Sequence, residues 1–189
     1  MAGELPRCLM IDADVIIHVH AAGLWELIKG AYELYVPSIV LHDEVKFYVD
    51  ELGQQHPIDL EGQAESGLIT EVAATAEEMK LLEDRFTGDL VLGLHSGERE
   101  ALALLLSGEY AQGRLCTGDR LAIEAVAALG FSSRAVSLEE TLQETGHSLD
   151  RRLLTNTYLQ RDNFKSAIKA GQQRRMTGEG LRVTAFDQL

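Results

Sequence analysis

Several carboxylates in this chain stand where short apolar runs give way to turns or helix starts. Asp12 follows the run ending at Ile11, with Asp14 two residues on, and Asp119 follows Leu115-Cys116-Thr117. Glu98 comes after a Ser96-Gly97 turn, and Glu44, with Asp43 beside it, lies shortly after Pro37. Singly, each has a plain reading: an acid at a helix start caps free N–H groups and suits the helix dipole. Together they point to other chemistry. Carboxylates that converge without lysine or arginine repel one another unless a divalent cation lies between them. Oxygen donors of this hardness select Mg²⁺ or Mn²⁺ over zinc.

The elements that must position these acids follow from periodicity. Arg7–Ile11, Leu34–Val36, Leu68–Ala73, Arg114–Thr117 and Ser133–Ser137 read as short strands, the third at a sheet edge. Helices are expected over Val15–His20, from Leu24 to Ile28, from Ser38 to about Leu52, over Thr75–Phe86 with a capping box, over Gly97–Leu106, over Arg120–Leu129 and over Leu138–Glu144. Residues 53–66, with His56-Pro57, read as a loop. Strands alternating with helices of this length predict right-handed crossovers. The expected class is α/β: a three-layer α/β/α sandwich with a central, mainly parallel sheet. In such sheets reactive groups collect outside the C-terminal strand ends, where Asp12 and Asp119 fall.

The segments LMIDADVII, VPSIVLHDEV, SGEREALALLL and LCTGDRLAIEAVAALGF occur in the order and spacing of the PIN-domain nucleases. The resemblance runs from residue 7 to about 137 and includes toxin-type ribonucleases. It implies that Asp12, Glu44, Glu98 and Asp119 are the catalytic, metal-binding acids, with Asp14 and the Thr117 hydroxyl supporting them. Asp43 competes with Glu44, because counting from Pro37 and from Val45 gives different answers. Glu100 reads as solvated or supporting. The implied chemistry is Mg²⁺- or Mn²⁺-dependent hydrolysis of a phosphodiester, preferentially in single-stranded RNA. An antitoxin-like protein and a second copy of the chain are the other partners considered.

Two rival readings come from the same residues. Asp12-x-Asp14 after an apolar strand, with Gly118-Asp119 later, resembles the haloacid-dehalogenase type of phosphohydrolase. That class leaves Glu98 without a role and finds Ile123 where a second aspartate should stand. The other rival is a non-catalytic PIN-like binding or regulatory module, which the full set of acids argues against.

The 189 residues carry 17 Lys and Arg against 30 Asp and Glu, a net charge of −13, which excludes a protein that coats nucleic acid by bulk charge. Residues 151–182 reverse the balance, with Arg151, Arg152, Arg161, Lys165, Lys169, Arg174, Arg175 and Arg182 against Asp162 and Glu179. The expected organisation is a PIN-like domain over 1–146 and a helical, basic C-terminal appendage over 147–189. That appendage either packs Phe164 and Ile168 on the body or contacts nucleic acid through Arg174 and Arg175, with Arg120 nearby. Cys8 and Cys116 sit in apolar runs and make neither a zinc spacing nor a disulfide framework. No basic leader precedes a long apolar stretch, and no apolar run approaches the ~18–20 residues of a membrane span. A cytoplasmic protein without membrane contact is expected.

Overall fold

A computed structural model describes residues 8–110, 112–147 and 154–182. Arg7, Arg151, Arg152 and Leu153, read from the sequence as part of the first strand and the basic segment, lie outside the described residues. In chain order the elements are β1 (Cys8–Ile11), α1 (Ala13–Ala21), α2 (Trp25–Ala31), β2 (Glu33–Pro37), a π-helical turn (Val40–Glu44), β3 (Phe47–Val49), β4 (Gln55–Pro57), α3 (Leu60–Glu65) and β5 (Thr70–Val72). There follow α4 (Ala76–Arg85), α5 (Gly88–Gly93), α6 (Ser96–Ser107), β6 (Arg114–Cys116), α7 (Arg120–Ala128), β7 (Ala135–Val136), α8 (Leu138–Glu144) and α9 (Arg161–Thr177).

Five strands form one parallel sheet in the order β5-β2-β1-β6-β7. Side chains alternate across a strand, so each strand feeds two cores. Leu9 and Ile11 join Val15, Ile16, Ile28 and Leu138 on one face, under α1, α2 and α8. Met10 and Leu115 turn to the other face and pack with Leu82, Phe86, Leu102 and Ala125 from α4, α6 and α7. The expected three-layer α/β/α architecture is therefore present. Strand β5 is the edge strand foreseen from LITEVA.

The chain winds outward from β1 in both directions, to β2 and β5 on one side and to β6 and β7 on the other. Such a reversal opens a crevice at the C-terminal strand ends between β1 and β6. Asp12 and Asp119 stand on either side of it.

Two expectations change. The helix read from Ser38 to Leu52 stops after the π-helical turn, and Phe47–Val49 pairs antiparallel with Gln55–Pro57 as a hairpin. Aromatic and β-branched side chains at positions 47–49 favour an extended strand. Asp50 then accepts from Leu52 N and Gln54 N, and Gly53 adopts φ +78°, closing the turn. The loop containing His56-Pro57 is accordingly the second strand of that hairpin.

The basic C-terminal segment docks on the body. Phe164 and Ala167 of α9 pack on Ile123 of α7. Gly171 brings the helix backbones together: a Cβ there would lie 2.2 Å from Glu124 O. Both cysteines are free, Cys116 fully buried and Cys8 half-buried, as expected of thiols in strands. Among the described residues, no helix is long and apolar enough to cross a membrane.

Candidate functional site

Asp12 continues β1 by one residue, its N–H donating to Cys116 O at 3.1 Å and extending the β1–β6 pairing. It is also the N-cap of α1. Its Oδ1 accepts from Ala13 N at 2.8 Å, and its Oδ2 accepts from the Thr117 hydroxyl at 2.7 Å. Thr117 Oγ1 in turn accepts from Asp119 N at 3.1 Å, and Asp119 caps α7 through Ala122 N at 2.8 Å. One buried hydroxyl thus ties the two strand-end aspartates, 107 positions apart, to a single framework.

Glu98 lies in the first turn of α6, where it is 5% exposed, and its Oε2 accepts from His95 N at 2.8 Å. Glu44 ends the π-helical turn and its Oε1 accepts from Gly97 N at 3.0 Å, so it meets α6 one residue before Glu98. The closeness requires glycine: a Cβ on Gly97 would stand 2.6 Å from Glu44 Oε2 and 2.5 Å from Val40 Cγ2. Asp43 is exposed, whereas Glu44 is half-buried and lines a cleft together with Asp14. Of the two acids left in competition by the sequence, Glu44 is the one whose carboxylate meets α6.

The acids sense one another. Burial, reinforced by the charges of Asp12 and Asp119, pushes the Glu98 carboxyl up to about 8. Burial also pushes Asp12 up to about 6, against the Thr117 and Ala13 hydrogen bonds that favour its charged form. Asp14 and Glu44 add to the field at Asp12, and Asp14 to that at Glu98. No lysine or arginine pairs with any of the five among the described residues. His95 Nδ1, on an exposed ring, lies 3.6 Å from Glu98 Oε1.

In charge and hardness this donor set fits a divalent cation such as Mg²⁺ or Mn²⁺. It is not pre-assembled for one: among the described residues, no group of three or more His, Cys, Asp or Glu side chains stands ready to hold a metal ion. Glu44, Glu98 and Asp119 each turn one oxygen to a backbone N–H, and Asp12 commits both.

Other candidates lie apart from this cluster. Glu100 is buried rather than solvated, accepting from Ser38 Oγ, Ile39 N and Ala74 N, and so ties α6 to the segments after β2 and β5. Arg120, Arg174 and Arg175, read as nucleic-acid contacts, all have internal partners. Arg120 and Arg174 pair with the buried Glu124 at 2.6 and 2.9 Å, and Arg175 donates to Ala128 O at 3.3 Å. His18 lines the same cleft as Asp14 and Glu44, while His20 stacks on Trp25 at 4.6 Å.

The sequence reading missed the wall of that cleft. Lys46, Phe47, Tyr48 and Val49 border a space of about 520 Å³ that also contains Asp14 and Glu44, with Asn156 opposite. The available signal was the aromatic, β-branched run itself, bounded by a glycine turn. No family model, curated protein or solved structure matches this chain.

Proposed function

We propose that the protein is a divalent-metal-dependent nuclease of the PIN type, cleaving phosphodiester bonds in single-stranded RNA. One observation carries the reading: Asp12, Glu44, Glu98 and Asp119 come from four separate elements to the C-terminal edge of a parallel sheet, and among the described residues no lysine or arginine pairs with them. Uncompensated acids at that edge are costly to the fold, and a cation relieves the cost.

Asp12, Glu44, Glu98 and Asp119 would hold the ion. Bound there, Mg²⁺ or Mn²⁺ would supply an acidified water as nucleophile and offset charge at the phosphate. Thr117 keeps Asp12 oriented and fixes the backbone of Asp119 at the same time. Glu98 takes up a proton readily in the metal-free protein, so metal occupancy displaces protons and strengthens as pH rises.

The test is cleavage of a labelled single-stranded RNA by the purified chain in Mn²⁺, with and without chelator. The expected result is cleavage that stops with chelator and returns with added Mn²⁺. Chelator-indifferent cleavage, or none on any RNA tried, refutes the proposal.

A further inference from the structure

The hairpin β3–β4 packs beside α1 and walls the cleft that reaches Asp14 and Glu44. It is held rigidly. The Tyr48 ring lies between His56 at 4.9 Å and His20 at 6.1 Å, and His20 stacks on Trp25 at 4.6 Å, giving a four-ring column into the domain. His56 Nε2 adds a 2.8 Å contact to Asp50 across the hairpin. Successive strand residues point to opposite faces. Phe47, next to Tyr48, lines the cleft and is 43% exposed. Ile17 lines the same cleft, and the Asn156 side chain donates to Gly118 O and accepts from Tyr158 N.

A mounted, half-exposed aromatic ring beside acids suited to phosphate chemistry is the arrangement that holds an unpaired base. Stacking on an aromatic side chain needs a free π-face, which a base inside a duplex lacks. Resting on the nuclease reading, we infer that Phe47 is the stacking platform for the unpaired base next to the scissile phosphate. The platform makes the site select single strands. Stacking itself does not depend on base identity, because every base has a π-face.

The experiment uses the full chain, Mn²⁺, and a set of single-stranded RNA oligonucleotides each carrying one abasic ribose at a different position. Phe47→Ala is expected to raise KM about tenfold while kcat changes less than about twofold. Phe47→Trp keeps the wild-type KM. One abasic position costs the wild-type protein the same factor and costs Phe47→Ala nothing further. An unchanged KM in Phe47→Ala, or penalties that multiply at every position, overturns the platform. If the wild-type chain cleaves no RNA, the nuclease reading falls separately. Anisotropy with the same oligonucleotides then decides the platform: affinity lost together by Phe47→Ala and one abasic position supports it, and affinity indifferent to Phe47 overturns it.

Discussion

Helix α7 carries two acids only five residues apart, and the protein treats them in opposite ways. Glu124, 2% exposed, is met by Arg120 at 2.6 Å and Arg174 at 2.9 Å, the second reaching across from α9. Asp119, the N-cap of the same helix, joins Asp12, Glu44 and Glu98 at the sheet edge, and among the described residues it has no such partner. Where a buried acid serves the packing of two helices, the chain supplies counter-charge. Where acids gather at the strand ends, the described residues supply hydrogen bonds and one exposed histidine, His95, 3.6 Å from Glu98. That contrast sets a carboxylate paired for helix packing apart from carboxylates that, among the described residues, have no lysine or arginine partner.

Four experiments break or sharpen the contrast. The largest effect is on activity: Asp12→Asn or Asp119→Asn should lower Mn²⁺-dependent RNA cleavage at least about a hundredfold, with an unchanged circular dichroism spectrum. Loss of the spectrum alongside activity would make these acids structural, like Glu124. Next, Glu124→Ala leaves two arginines facing an empty site and should cost about 3 kcal/mol of stability in urea unfolding. Its cleavage rate, measured where the chain is still folded, should remain near wild type. A loss of cleavage larger than the loss of folded protein would erase the distinction between the two acids.

The third test is electrostatic and uses metal-free protein. The folded chain holds the Glu98 proton up to about 8, whereas the ordinary value is 4.5, so the folded state binds more protons than the unfolded state between those limits. Stability therefore falls as pH rises through that window, and Asp12 adds to the fall between 3.8 and about 6. Glu98→Gln should flatten the decline, stabilising the chain at pH 8 by on the order of 2 kcal/mol. Added Mn²⁺ should raise the melting temperature of the wild type at that pH. A stability profile that does not fall toward pH 8, or one that Glu98→Gln leaves unaltered, contradicts the coupling among these acids.

The smallest effect concerns an exposed pair. Arg161 Nε lies 3.2 Å from Glu140 at the surface. Arg161→Ala should change stability by less than about 1 kcal/mol. A larger loss would mean that α9 is clamped by its charges rather than by Phe164, Ala167 and Gly171.

The strand-end aspartates were legible because their signal is local: an apolar run, then an acid, then a helix. The same holds for Glu98 after its turn and for the capping box at Thr75, where Glu78 and Thr75 satisfy each other's backbone as the spacing requires. Glu44 against Asp43 was not legible. The π-helical turn breaks the 3.6-residue period on which such a choice relies, and only contact with Gly97 separates the two. The hairpin wall was hidden because apolar positions at 45, 48, 49 and 52 also fit a helical stripe, and pairing with Gln55–Pro57 decides the matter.

Periodicity and caps in the sequence determine the alternation of strands and helices, and with it a parallel sheet whose C-terminal ends receive Asp12 and Asp119. These are interactions between near neighbours, which the order of residues encodes directly. Tertiary structure alone decides that Arg174 belongs to Glu124 fifty positions away, that Glu44 reaches α6, and that Phe47 faces the cleft. Each depends on which distant surfaces meet, and a charge or a ring has no fixed role until its neighbours across the fold are in place.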